Sequence, residues 1–233
     1  MRAIFKREFK AYFTSPMGYI ILAIMLFFLG QSFFSIMLAD YGNISYVFVL
    51  VNTYTMLIPP LITMRLFSEE KKQKSDQLLF TSPVSIFKIV MGKLLAAFSL
   101  FSLCYAITIV FQLIIATLTE VNLLMYLNSV FGTLLIGFAL LSIGIFISSL
   151  TESQIIAAIL GIITSLGIMM IDYLGSIFDI SIITTICNYL SFVTRYNTFL
   201  SGIFDFSNVI FFLSVAALFI FLTTRTLEKK RWA

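Results

Sequence analysis

The sequence contains no histidine, two cysteines and few charged residues, and each scarcity excludes a class of function. Histidine is the commonest metal ligand and the commonest general acid or base, so we expect neither a metal site nor a catalytic site. Cys104 and Cys187 are too few for a disulfide framework. Charged residues make up 11% of the chain, against about 25% in soluble domains. A soluble enzyme is therefore not expected.

Hydrophobic residues are abundant instead and make up 60% of the 233 residues. A soluble domain of this size cannot bury so much apolar surface, so lipid is the expected solvent. Only helices and closed barrels satisfy their backbone hydrogen bonds in hydrocarbon. The apolar runs are about 20 residues long and lack the alternation of barrel strands. The sequence therefore predicts an all-α polytopic membrane protein.

Windows of about 19 residues predict six transmembrane helices in a single transmembrane domain. Between them lie a first segment (1–16), two long connections (65–93 and 175–207) and a tail (225–233). No internal repeat, low-complexity tract or soluble domain interrupts this order. The six predicted spans cover residues 18–38, 46–64, 94–118, 127–150, 155–174 and 208–224.

Basic residues lie almost entirely on one side of this predicted topology. Fourteen of the 15 Lys and Arg residues fall in the first segment, the first long connection or the tail, and Arg195 alone falls opposite. The positive-inside rule therefore predicts cytoplasmic termini in a cell or inner membrane. Because the charges adjoin membrane segments, the lipid bilayer is an expected partner and nucleic acid is not.

The first segment has the pattern of an amphipathic helix at the membrane interface, although a simple anchor for the first span explains it equally well. Pro16 and Gly18 mark an elbow where the chain turns into the bilayer. No cleavable signal peptide is expected. The expected interfacial face carries Phe5, Phe9, Tyr12 and Phe13, with Lys6, Arg7 and Lys10 beside it.

The first long connection is too polar for the bilayer and too short for a domain. Ser68 is expected to cap a helix with Glu69 and Glu70 in its first turn, running to about residue 80. Ser82 is expected to cap a second helix that has Pro83 at its first position. The sequence predicts a helix, a sharp turn and a second helix that returns to the membrane.

Leu78, Leu79 and Phe80 give the first of these helices an apolar end. Three apolar residues facing water favour insertion into lipid or docking into a groove of a partner. The alternative is a solvated hairpin whose charges only fix the topology.

The order of these parts resembles the permease subunits of type-2 ABC transporters, the type V exporter class. The tail T-L-E-K-K-R-W at residues 226–232 is similar to that of gliding-motility-type and copper-site-maturation-type members. One departure is Ser75-Asp76, where the family often has Thr-Glu. The residues that carry the resemblance are Arg65, Phe67, Glu69 and Glu70 (R-x-F-x-E-E), Leu78 and Leu79, Thr81, Pro83, Val84 and Ser85 (T-x-P-V-S), and Gly92 with Lys93.

The resemblance implies a coupling segment that docks on a separate cytoplasmic ATPase, whose closure moves the helices between inward-facing and outward-facing states. This chain has no G-x-x-x-x-G-K-[ST] motif, so ATP and Mg²⁺ are expected in the partner and no cofactor in this chain. The expected coupling residues are Arg65, Phe67, Glu69, Glu70, Asp76, Leu78, Leu79, Thr81, Pro83 and Ser85.

Small residues on the fifth span, Ala157, Gly161 and Ser165, form a ladder that lets two helix backbones approach. Packing between helices of the same chain is one explanation for this ladder. The resemblance favours a dimer interface with a second permease copy or paralogue, or a translocation path, to which Asn52 and Thr53 are also assigned. A path lined by apolar and hydroxyl groups suits an amphipathic substrate.

The second long connection, residues 175–207, has a helical spacing of apolar residues broken by Asn188, Arg195 and Asn197. These polar residues favour a re-entrant or interfacial helix over a seventh span. Such a helix suits a lid over the exit or contact with an external or auxiliary membrane protein.

The leading hypothesis is a permease subunit driven by separate ATPases. An ion-coupled transporter or channel, with Glu152 or Asp172 as the coupling carboxylate, is a second hypothesis, but the inverted repeats typical of that class are not found. A membrane enzyme lacks a paired-carboxylate motif within a span. A scaffold that passes ATPase motion to another protein without moving a solute is a further alternative.

Overall fold

The residues that the structure describes form a succession of α-helices and contain no β-strand. The structure is a computed structural model that describes residues 1–38, 45–74, 84–118, 122–177, 187 and 189–232. The predicted all-α class is confirmed. The helices are α1 (Arg2–Thr14), α2 (Pro16–Leu38), α3 (Ser45–Thr63), α4 (Ser68–Lys72), α5 (Ile86–Tyr105), α6 (Ile107–Ala116), α7 (Leu123–Leu150), α8 (Gln154–Ile177), α9 (Phe192–Leu200) and α10 (Phe206–Trp232).

Six helical stretches among the described residues are long and apolar enough to cross a membrane, which confirms the predicted number. Three extend well beyond the prediction, and the first of these is the second stretch, which continues to Lys72 instead of residue 64. The third stretch begins at Ile86 instead of residue 94, and the helix of the sixth continues to Trp232 through the predicted tail. The six stretches are Pro16–Leu38, Tyr46–Lys72, Ile86–Ala116, Leu123–Leu150, Gln154–Ile171 and Phe206–Lys229.

The connection between α3 and α5 differs from the predicted pair of capped helices. α4 ends at Lys72, because Lys74 adopts a left-handed backbone with φ of 54°. Ser68 is the first residue of α4 rather than its cap, and its hydroxyl donates to the Met64 carbonyl one turn earlier. The expected helix is therefore present over Ser68–Lys72, with Glu69 and Glu70 in its first turn, but Ser68 is not its cap and the helix does not continue through residues 73 and 74. Its remainder lies in residues 75–83, outside the described residues.

The helix that enters the membrane as α5 begins after Ser85, whose backbone is extended at φ −64° and ψ 140°. Val84 and Ser85 are both non-helical. The expected helix with Ser82 as cap and Pro83 at its first position therefore does not lead into the third span. The helix begins at Ile86, directly after the extended and polar Ser85.

Helix α7 lies at the centre of the bundle and contacts α3, α5, α8, α9 and α10. Its glycines permit this close packing. The Phe101 ring of α5 occupies the space that a Cβ at Gly137 would fill, and Thr63 of α3 occupies that space at Gly144. Both side chains are fully buried. Because α7 touches most of the bundle, a shift of α7 requires its neighbours to repack.

Helix α3 contains two consecutive prolines close to its end. The nitrogens of Pro59 and Pro60 carry no hydrogen and cannot donate to the carbonyls four residues earlier. The helix continues past them because Thr63 Oγ1 donates to the Pro59 carbonyl at 3.0 Å and Met64 N donates to the Pro60 carbonyl at 2.9 Å.

The second long connection contains the nine-residue helix α9, which packs on α7. Tyr196 of α9 is fully buried and its hydroxyl lies 2.8 Å from Thr133 Oγ1 of α7. Arg195 donates to Asn208 Oδ1 at 2.7 Å and lies 4.3 Å over the Phe211 ring, which joins α9 to the start of α10. Its position relative to the membrane stays a prediction, and residues 178–186 lie outside the described residues.

The small-residue ladder of α8 faces α3 within the same chain. Ala157 and Ser165 are 3% exposed, and the Pro60 ring occupies the space that a Cβ at Gly161 would fill. This is the intrachain packing that the sequence allowed. A role of these residues in a dimer interface or a translocation path stays a prediction. Asp172 lies in α8, but its side chain is outside what the structure describes.

A pair of glycine substitutions on α8 tests this packing. We expect Gly161→Val to lower the free energy of unfolding by about 1–3 kcal/mol, because the new side chain overlaps Pro60. Gly167→Val is the matched control, since no atom lies within 4 Å of the position of its Cβ. Thermal unfolding in detergent measures both. Equal melting temperatures for the two variants would contradict close α3–α8 packing.

Candidate functional site

The joint between α3 and α4, residues 64–67, is where four parts of the chain meet. Helix α3 ends at Thr63, and Leu66 N donates to the Thr63 carbonyl at 3.1 Å in the turn that follows. Around the joint lie α1, the first turns of α5 and the last turn of α7. It lies in the region that the sequence singled out as the coupling segment.

Lys93 of α5 is fully buried beside the joint. Its ammonium group lies 3.1 Å from Glu8 Oε1 of α1 and 2.9 Å from Glu70 Oε1 of α4, and it donates to the Leu66 carbonyl at 2.6 Å. The Phe67 ring lies 5.0 Å from the same nitrogen. An isolated buried ammonium group is costly, whereas here two carboxylates and a carbonyl compensate the charge.

Arg7 completes an ionic network by donating to Glu8 Oε1 at 2.6 Å and Glu70 Oε1 at 2.7 Å. Two cations and two carboxylates therefore alternate with no net charge, and they connect α1, α4 and α5. The network borders a cleft of about 280 Å³, whose wall also includes Arg65, Glu69 and Gln73. We call Arg7, Glu8, Glu70 and Lys93 the ionic network.

Glu8 shows how strongly the network favours charged side chains. Burial alone raises the pKa of its carboxyl group, but the charges of Lys93 and Arg7 and their hydrogen bonds outweigh that effect. The pKa of Glu8 is therefore lowered below its ordinary value of 4.5. Glu8 is ionised at neutral pH although its residue is only 8% exposed.

Tyr12 and Arg65 make a second connection between α1 and the joint. The Tyr12 hydroxyl donates to the Ile62 carbonyl at 2.8 Å, and burial raises the pKa of this phenol. Arg65 lies 4.8 Å over the Tyr12 ring and donates to Ser15 Oγ at 2.7 Å. Gly18 allows the contact, because a Cβ there would overlap the Tyr12 carbonyl.

These contacts correct the predicted face of α1. Tyr12 is not on an interfacial face with the phenylalanines; it is fully buried one turn after Glu8. Arg7, which the sequence placed beside the interfacial face, bonds to carboxylates of the protein. Phe5, Phe9 and Phe13 do form one row, with ring centroids 5.9 and 5.2 Å apart. The buried face contains Glu8 and Tyr12, whose spacing of four residues places them on one side of the helix.

The joint and α4 are also bonded to the end of α7. Ser148 Oγ donates to the Met64 carbonyl at 3.2 Å and accepts from the backbone nitrogens of Phe67 and Ser68 at 3.2 and 3.3 Å. Lys71 of α4 is buried, and its ammonium group donates to the Ser149 carbonyl. A cation at this position is favourable because the C-terminal end of a helix carries partial negative charge.

Five of the ten expected coupling residues are described, and they have different surroundings. Phe67 is 4% exposed, and Glu70 points into the ionic network. Glu69 lies 4.0 Å from Arg65 and is partly exposed, and Ser85 is exposed before α5. The other five lie outside the described residues: Asp76, Leu78, Leu79, Thr81 and Pro83.

The exposed part of α4 and its end consists of Lys72, Gln73 and Lys74. None of them was among the expected coupling residues. Glu8 was missed entirely, and Lys93 was quoted only as part of a motif. The signal available for Glu8 was its position as the one acidic residue among the basic residues of the first segment, in register with Tyr12.

The two polar residues assigned to the path on α3 lie away from this site. Thr53 is exposed, and Asn52 is half-buried with no hydrogen-bond partner for its Oδ1 among the described residues. One turn further along α3, Thr55 Oγ1 is bonded to the Tyr105 hydroxyl of α5. A role of Asn52 and Thr53 in a path stays a prediction.

A family of known proteins matches most of this chain. The family model described as ABC-2 family transporter protein matches residues 38–224, which is most of the chain and includes the joint, α4 and the first turns of α5. No curated protein matches this chain.

Removal of the Lys93 charge tests the ionic network. We expect Lys93→Met to lower the free energy of unfolding by about 3–5 kcal/mol, because Glu8 and Glu70 then lie together with only Arg7 to compensate them. Lys10→Met, at an exposed position of α1, is the control and is expected to have little effect. The double variant Glu8→Gln with Lys93→Met is expected to recover part of the loss. A double variant no more stable than Lys93→Met would contradict direct pairing of the two charges.

The lowered pKa of Glu8 predicts a particular dependence of stability on pH. Because the folded state binds the proton less tightly, the stabilisation by Glu8 is complete above its ordinary pKa of 4.5 and is lost as pH falls through the lowered value. The difference in melting temperature between wild type and Glu8→Gln should therefore be constant from pH 7 to about 5 and shrink below 4.5. An unchanged difference at pH 3.5 would contradict the lowered pKa.

Proposed function

Because the chain belongs to the ABC-2 transporter family, we propose that it is the permease subunit of an ATP-driven transporter, coupled through residues 65–93 to a separate ATPase. Membership of the family makes the chain a membrane component of such a transporter and not its catalytic subunit. The observation that carries the coupling proposal is the attachment of the joint and α4 to three other helices by buried polar contacts.

The proposal assigns docking to the parts of the segment that the network leaves free. Lys72, Gln73 and Lys74 are exposed at the end of α4, immediately before residues 75–83. The apolar pair Leu78 and Leu79 follows in the sequence, and an apolar pair beside polar residues is typical of a segment that docks in a groove of a partner. In this proposal Asp76, Thr81, Pro83 and Ser85 complete the segment that contacts the ATPase.

The contacts of α4 suggest how force on the docking surface reaches the membrane. A push on α4 acts on α7 through Ser148 and Lys71, since both contacts are buried. It acts on α1 and α5 through Glu70, which accepts bonds from Arg7 and Lys93. Because α7 is the central helix, a displacement of α7 requires most of the helices around it to repack.

The remaining assignments belong to the same proposal. ATP and Mg²⁺ are held by the partner ATPase, and a second permease copy or paralogue completes the transporter. The termini lie in the cytoplasm and the chain in the cell or inner membrane, as the basic residues favour. The proposal also assigns α9 a contact with an external or auxiliary membrane protein. The type V exporter subtype and the likeness to gliding-motility-type or copper-site-maturation-type members stay predictions.

Copurification tests the coupling proposal. We expect the tagged wild-type chain, extracted from native membranes, to retain a protein that contains a G-x-x-x-x-G-K-[ST] motif and hydrolyses ATP. Leu78→Asp with Leu79→Asp, and Lys72→Glu with Lys74→Glu, should each reduce the retained ATPase roughly tenfold or more, because hot-spot contacts at an interface contribute at least 2 kcal/mol. Mass spectrometry and ATP hydrolysis measure the retained partner.

Lys6→Glu is the matched control, because Lys6 is an exposed basic residue of α1 outside the segment. Its retained ATPase should equal that of wild type. Melting temperatures of all variants separate a docking defect from misfolding. A wild-type chain without an ATPase, or segment variants that retain it fully while folded, would contradict the proposal and favour an ion-coupled transporter or channel.

A further inference from the structure

An apolar groove runs along the lipid-facing surface of the bundle between α5, α7 and α10. It encloses about 340 Å³, and its wall includes Phe87, Met91, Phe138, Ala217, Ile220 and Phe221. Phe87 is 54% exposed and Phe221 55%. Because α5, α7 and α10 belong to stretches that cross the membrane, these exposed rings face hydrocarbon, and the groove opens to the same medium.

The dimensions of the groove match one leaflet. Its wall on α10 extends from Leu213 to Thr224, eleven steps of 1.5 Å, or about 16 Å along the helix axis. That length is half of the ~30 Å hydrocarbon core. The length therefore suits an extended acyl chain, and a helix from a second copy is the other occupant that the test distinguishes.

Two basic residues lie next to wall residues at the same end of the groove. Lys88 follows Phe87 on α5, and Arg225 follows Thr224 on α10. Lys88 is exposed, and the Arg225 guanidinium lies 5.1 Å over the Phe221 ring with its side chain 66% exposed. Basic residues between membrane helices at the headgroup level attract anionic lipid headgroups.

Arg225 also has an acidic neighbour, since its Nη1 lies 3.1 Å from Glu228 Oε2. Both side chains are exposed, and ion pairs of exposed side chains contribute little. A phosphate can therefore replace this contact at small cost, and its charge complements two cations, one on α5 and one on α10.

We propose that the groove binds a glycerophospholipid with an anionic headgroup. One acyl chain lies along α10 against Ala217 and Ile220, and the phosphate lies between Lys88 and Arg225. Such a lipid bridges α5 and α10 on the surface of α7, so it holds the third and sixth spans together. The proposal requires only that the chain spans a membrane and does not depend on an ATPase partner.

Lipid binding to the purified chain tests the proposal. Native mass spectrometry in detergent compares added phosphatidylglycerol with phosphatidylcholine of the same acyl chains. We expect wild type to bind the anionic lipid roughly tenfold more tightly, and Lys88→Gln with Arg225→Gln to reduce that ratio to about one. Lys10→Gln, at an exposed basic position of α1, is the charge control and should leave the ratio unchanged.

A substitution that fills the groove tests the contribution of its apolar wall to lipid binding separately from that of the two basic residues. Ala217→Trp should remove tight binding of both lipids, because the indole occupies the space of the acyl chain. Leu218→Trp is the matched control, since Leu218 is exposed but is not part of the groove wall. If Ala217→Trp does not fold, the charge variants still decide the result.

Three outcomes would overturn the proposal. The first is equal binding of the two lipids by wild type, and the second is an unchanged ratio in the Lys88 and Arg225 double variant. The third is a disulfide-linked dimer of Ala217→Cys in a chain whose Cys104 and Cys187 are replaced by serine, because a second copy would then occupy the groove.

Discussion

Burial of the ammonium group of Lys93 requires partners from three other segments at the same time: Glu8 from α1, the Leu66 carbonyl from the joint and Glu70 from α4. A buried ion pair is poor evidence of net stabilisation, because the cost of desolvation offsets the attraction. Its value here is specificity. Since a lone charge at this depth is costly, arrangements in which α1, α4 or α5 move apart are disfavoured, and the rest of this end of the bundle follows from that constraint.

The polar contacts around the joint differ in kind from the packing elsewhere. Between the spans, glycine and alanine allow close approach of helices, as at Gly137 and Phe101, and such contacts resist compression. At the joint, directional hydrogen bonds link α4 to α7 through Ser148, so they resist displacement in either direction. In the proposed function, a segment held in this way passes on both pushing and pulling, as an alternation between two states requires.

The sequence predicted the number of spans because long apolar runs are required by the bilayer and leave few alternatives. It did not predict the end of α4, since a left-handed backbone at Lys74 depends on the tertiary structure and lysine has no special preference for it. It also missed the role of Glu8. A pattern of aromatic and basic residues on α1 suggested the interface, whereas the single carboxylate on its other face pairs with a lysine 85 positions later. The periodicity of a sequence does not reveal charge pairs between segments that are far apart in the chain.

The two prolines of α3 have a consequence for the way this helix deforms. Because Pro59 and Pro60 carry no amide hydrogen, the carbonyls of Thr55 and Met56 have no helical donor four residues ahead. Bending α3 at this point breaks fewer backbone hydrogen bonds than bending it elsewhere along its length. A hinge of low energetic cost therefore lies directly before the joint, so α4 and the end of α3 can tilt together while the N-terminal half of α3 keeps its place in the bundle.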